Sequence, residues 1–111
     1  MNKYRVVVSR RAAQMLVSHA AFLAQVSPAA AERLTAAFET AAHSLEHMPQ
    51  RCPWLRGEYI PHNTYRYLLF EKRYMIIFQV ADETVFADYV LDCRQDYGWL
   101  LGAEGAFPQA D

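Results

Sequence analysis

The chain has 111 residues, a formal net charge of -1, 53% hydrophobic residues and 14% aromatic ones. That composition excludes a disordered chain, and the near-zero charge gives no overall positive field to attract nucleic acid. A single domain of this length buries about 65% of the surface its unfolded form exposes, so it needs neither a disulfide nor a metal to fold.

The opening stretch, Tyr4 to Ser9 (YRVVVS), is short and β-branched and predicts a first strand. It is too short for the apolar core of a signal peptide, and no run approaches the roughly eighteen apolar residues of a membrane span, so a cytoplasmic protein is expected. Cys52 and Cys93 are then expected as reduced thiols without assigned chemistry, since they form no CxxC pair.

After the strand the period changes. Ala12, Leu16, His19, Leu23 and Val26 recur at steps of four and three and line one face of a helix. Ser27-Pro28 supplies a cap and a proline at the first helical position, and Ala31, Leu34, Phe38, Ala41, Leu45 and Met48 continue a second helix up to Pro49. Two apolar stripes joined by so short a turn predict an antiparallel helical hairpin. QRCPWLRGEYIPHN (50–63) fits neither period and reads as an ordered loop.

Three strands follow: TYRYLLF (64–70), RYMIIFQV (73–80) and TVFADYVLDC (84–93), joined by connections short enough for hairpins. Tyr74, Ile76 and Phe78 alternate with Met75 and Ile77, so both faces of the middle strand are apolar and it is expected at the centre of the sheet. QDYGWLL could add a terminal helical turn, and residues 102–111 read as a tail.

Within the second helix, HSLEH has the His43-x-x-Glu46-His47 spacing of one class of zinc hydrolases. The two histidines fall opposite the Leu45 stripe in the last turns of the helix, where they favour the dipole and where Glu39 and His43 form an i,i+4 pair. A third ligand would have to come from Glu58 or His62 in the loop, so no metal or other cofactor is expected. His19, on the apolar stripe, is expected to be a satisfied core or interface histidine. The nine arginines against two lysines suit phosphate binding, but the abundant alanine points to a GC-rich genome as the source of the same bias.

The order strand, helical hairpin, three-stranded meander, together with YRYLLFEKRYMIIFQVADETVFADYVLDCRQDY, resembles the RelE/ParE superfamily of toxins from bacterial type II toxin-antitoxin and plasmid-stabilisation systems. The resemblance spans residues 3 to 101. It rests on Tyr65-Arg66, on Tyr74 with Ile-Ile-Phe-Gln-Val after it, on the Asp82-Glu83 turn and on the strand running into Arg94-Gln95-Asp96. It implies a toxin held inactive by a cognate antitoxin, with any homo-oligomer arising through the complex. RelE-like members cleave messenger RNA on the ribosome without a metal, using basic side chains on the open face of the sheet; ParE-like members poison DNA gyrase by binding.

Alternation places Arg66 and Leu68, Met75, Ile77 and Gln79, and Asp88, Val90 and Asp92 on the face opposite the helices. Arg66 falls where the RNA-cleaving branch has a basic residue, but Leu68 and Met75 replace further ones, and two aspartates suit a dianionic transition state poorly. A nuclease site would consist of Arg66, Arg94 and Tyr97, with Asp92 or His62 as base; otherwise Arg66 is expected to pair with Asp88 or Asp92 across the sheet. Leu68, Met75 and Ile77 form an apolar patch that an antitoxin or target would cover, joined by Trp99 packing the C-terminal turn on the sheet. Arg51 and Arg56 are expected to be solvated.

The expected fold is therefore α+β, ordered β-α-α-β-β-β, with the helical hairpin on one face of a mainly antiparallel four-stranded sheet. Residues 1–101 would form the domain. The expected function is a ParE-like toxin that stops growth by binding a protein target, DNA gyrase, and is neutralised by its antitoxin. The alternatives are a metal-free, ribosome-dependent endoribonuclease, which leaves open whether the chain is an enzyme, and a non-toxic interaction module on the same fold.

Overall fold

The computed structural model describes residues 3–94. Strand β1 is Arg5–Val8, helix α1 Arg10–Ala24, helix α2 Pro28–Ser44, followed by a 3-10 turn at Pro49–Arg51 and strands β2 (Arg66–Phe70), β3 (Tyr74–Ala81) and β4 (Thr84–Asp92). α2 starts as the sequence predicts, and α1 starts with Ser9, the last residue of the expected strand, as its cap. The Ser9 hydroxyl accepts from the Ala12 N–H at 3.0 Å and the Ser27 hydroxyl from the Ala30 N–H at 3.1 Å, with Pro28 entering α2 at its first turn. α2 ends at Ser44, earlier than its apolar stripe suggests, and Arg51 reaches back to that end, donating to the Ser44 carbonyl at 3.4 Å and hydroxyl at 3.1 Å as well as to the carbonyls of His47 at 2.7 Å and Met48 at 3.2 Å in the turn that follows.

The sheet order is β1-β4-β3-β2, with β1 parallel to β4 and the other two pairs antiparallel. β3 lies inside the sheet, as expected, and so does β4. The helix-side core gathers Leu34, Phe38, Ala42 and Leu45 against Ile76, Phe78, Val85 and Val90, with Phe38 meeting the Phe70 ring edge-on at 5.8 Å.

One irregularity sets the faces of β4. The ladder shifts between Ile77 and Phe78, so that Ile77 faces Tyr89 while Phe78 faces Ala87, and Asp88 is the extra residue of a bulge. Beyond the bulge the alternation is reversed relative to a straight strand. Val90 therefore packs with the helices, Asp92 pairs with Tyr74 of the helix side, and Tyr89 and Leu91 pack with Met75 and Ile77 on the other face. This corrects the expected grouping of Asp88, Val90 and Asp92. Of the three only Asp88 joins Gln79, whose amide donates to its carboxylate at 3.1 Å.

β1 stops at Val8, leaving the rest of β4 without a strand neighbour on that side among the described residues. Side chains of α1 and its cap take over. The Asp88 carbonyl accepts from the Ser9 hydroxyl and the Arg11 Nε, each at 3.3 Å, and His19 Nε2 lies 3.0 Å from the Val90 carbonyl while its ring meets Tyr74 edge-on. His19 is thus the satisfied histidine its place on the stripe implies.

Candidate interaction surfaces

The face away from the helices is not bare. Met75 is 3% exposed and Ile77 0%, because the 53–65 segment folds back over them and contributes Leu55 and Tyr65, with Ile60 and Tyr67 packed alongside. The patch expected to await a partner is largely roofed by the chain's own loop. Main-chain bonds fix the roof: the Leu55 N–H donates to the Tyr65 carbonyl at 2.7 Å and the Tyr67 N–H to the Pro53 carbonyl at 3.2 Å, so the loop runs as a short strand beside the start of β2.

Arg66 fastens this loop and is not on the open face. It pairs with Phe78, a helix-side residue, and its Nη1 donates to the carbonyls of Cys52 at 2.7 Å and Gln50 at 3.2 Å. Its guanidinium also stacks 3.7 Å from the centre of the Trp54 ring. The expected cross-strand pairing with Asp88 or Asp92 is replaced by these main-chain and aromatic contacts. Leu68 likewise faces the helix-side core, where it is half-buried, because β2 alternates one residue out of step with the expected assignment. Burial pushes the Cys52 thiol up from its ordinary pKa, against the opposing charges of Arg51 and Arg66.

Arg94 lies past the other end of the sheet. Its side chain grips Asp92 through Nε at 3.2 Å and Nη2 at 2.9 Å, and its main-chain N–H donates to the same carboxylate at 2.9 Å. The hydrogen bonds from Arg94 hold the Asp92 carboxyl below the usual range, against the opposing effect of burial, with a further contribution from Arg73. A carboxylate held that way is a poor proton acceptor near neutrality. Arg66 is opposite Phe78 and Asp92 opposite Tyr74, four residues apart along β3, or about 13 Å. The structure does not bring Arg66 and Arg94 together. Tyr97 and Trp99, like the QDYGWLL turn and the 102–111 tail, lie outside the described residues.

Glu46 of the HSLEH motif is taken up by His43, 3.4 Å away, and by Lys3 at 3.7 Å. Among the described residues no three His, Cys, Asp or Glu side chains cluster as a metal site. No helix among them is long and apolar enough to cross a membrane.

An open groove lies at the β2 edge. Trp54, Leu55, Tyr67, Leu69 and Met75 form its apolar lining, and Arg56, Lys72 and Cys93 its margin. Leu69 is 54% exposed there. The alternation of TYRYLLF carried the signal for this site, since Tyr65, Tyr67 and Leu69 share one face, but the loop that completes it has no period to read.

A family model described as the ParE toxin of the type II toxin-antitoxin system, parDE, matches residues 6–97. No curated protein sequence matches the chain. Among solved structures, the chromosomal ParDE toxin-antitoxin system of P. aeruginosa superposes with a TM-score of 0.65 at 15% identity, over 81% of this chain and 96% of that one. The shared architecture is the strand, helical hairpin and meander described above, and the chain belongs to the ParE family of type II toxin-antitoxin toxins.

Proposed function

We propose that the chain arrests bacterial growth by binding a protein target, DNA gyrase, and that a cognate antitoxin neutralises it. Membership of the ParE family supports the toxin, and the solved relative is by its title a toxin-antitoxin system. The observation that carries binding over RNA cleavage is the placement of Arg66. Its Nη1 donates to two loop carbonyls and its guanidinium stacks on Trp54, while the other candidate cation, Arg94, is paired with Asp92 at the far end of the sheet. Stabilising a phosphorane needs donors converging on one point, and these two do not converge.

The test is expression of the chain alone in bacteria, followed by assays on the purified protein. Growth arrest with inhibition of gyrase supercoiling, and intact ribosome-bound message, is the expected result. Message cut at defined codons, with cutting lost in Arg94→Ala, would replace this reading by the endoribonuclease. Undisturbed growth would leave a non-toxic module.

A further inference from the structure

The groove at the β2 edge combines three features. Its floor is apolar, with Leu69 more than half exposed beside Tyr67 and Met75. Its margin carries two cations, Arg56 and Lys72, and no carboxylate among the described residues lines it. Its wall is an unfinished sheet edge: residues 53–55 run antiparallel to β2 from Tyr67 towards Tyr65, away from Leu69, while strand alternation turns the Leu69 N–H and C=O and the Tyr67 C=O outward, where no partner among the described residues takes them.

We propose that this groove receives an extended segment of the antitoxin, apolar at its centre and carrying a carboxylate on each side, which continues the short strand that residues 53–55 begin. This rests on the antitoxin-neutralised reading above. The extended form follows from the edge, since a helix satisfies its own main-chain groups and would leave those of Leu69 unpaired, whereas a strand completes them. The apolar centre follows from Tyr67, Leu69 and Met75. The carboxylates follow from the brackets: Arg56 adjoins Leu55, which pairs with Tyr65, and Lys72 lies two residues beyond the end of β2. A second copy of the chain is a poor occupant, because its own groove would bring Arg56 and Lys72 against the same charges.

The experiment measures binding of the purified full chain to the small protein encoded by the adjacent reading frame, comparing the parent with the double variant Arg56→Glu, Lys72→Glu. Melting curves check that the variant folds. Binding at least tenfold weaker in the variant is expected, together with at least tenfold slower maleimide labelling of Cys93 in the parent complex than in the free parent. Equal affinity for parent and variant, or Cys93 labelled equally fast in complex and free chain, would overturn the groove assignment. So would a folded variant that binds the small protein normally yet no longer arrests growth, which would give the groove to the target instead. Binding that is weakened in the variant, from a parent that never arrests growth, would keep the groove and sink the toxin. A parent that neither arrests growth nor binds the neighbour would remove both.

Discussion

Ile76 and Ile77, adjacent on β3, are both 0% exposed, yet they are covered by different kinds of structure. Ile76 lies under the helical hairpin, whose cover is regular, capped at both helix starts and continuous from Ala12 to Leu45. Ile77 lies under the 53–65 loop, which contributes Leu55, Tyr65 and Ile60 and is held by a few main-chain bonds and one arginine. Equal burial therefore does not mean equal stability. A helix face closes by many contacts that form together, while a loop roof resting on a handful of bonds can open locally without unfolding the rest. The difference also shows why an apolar strand face is weak grounds for a binding surface: here most of it is satisfied from within the chain.

The strongest way to break the comparison is to damage the helix side. Phe78 is fully buried in that core, and Phe78→Ala should cost about 3–5 kcal/mol through lost transfer energy and the cavity left behind. Thermal or urea unfolding should show the loss as a global one, lowering the whole cooperative transition. A loss confined to the loop would mean that the two covers are not distinct.

The roof should answer differently. Arg66→Ala removes charge-assisted bonds to the Cys52 and Gln50 carbonyls and the stack on Trp54, at an expected cost of about 2 kcal/mol. Hydrogen exchange should place most of that loss in residues 53–67, speeding the amides of Leu55 and Tyr67 while those inside α2 and β3 change least. Arg66→Lys should recover little, because an ammonium cannot bridge two carbonyls and stack at once. Uniform acceleration across the sheet would make Arg66 part of the global core.

These two sites also mark how far the sequence could be read. The order of elements, the start of α2 and the central place of β3 followed from period and punctuation: Ser27-Pro28, the stripe from Ala31 to Leu45, and Tyr74 to Phe78 alternating on two apolar faces. The faces of β2 and β4 did not follow. The bulge at Asp88 reverses the alternation of β4 without a glycine to announce it, and Arg66 and Leu68 went to the helix side through a register that only the pairing with Phe78 and Ile76 reveals. Arg66 looked like a free cation because its acceptors are main-chain carbonyls of a loop, and sequence offers no pattern for those. The family resemblance supplied the toxin; the site residues depended on tertiary contacts.

The smallest expected effect concerns the far end of the sheet, where neither cover reaches fully and Asp92 holds the chain's exit by accepting from the Arg94 main chain and guanidinium, with Arg73 nearby at 3.9 Å. Arg94 holds the folded-state pKa of this carboxyl below its unfolded value, so folding is favoured by the ionised form. That contribution is fully present above the unfolded pKa, near 4, and is lost as pH falls through the lower folded value. Asp92→Asn keeps an acceptor for the Arg94 N–H and removes the charge. The variant should therefore be less stable than the parent at neutral pH, by an amount that stays constant down to about pH 5 and shrinks below about pH 4. Unfolding curves for both proteins across that range measure the gap, and a gap that persisted undiminished at low pH would show that Asp92 acts by shape and hydrogen bonding and not through its charge.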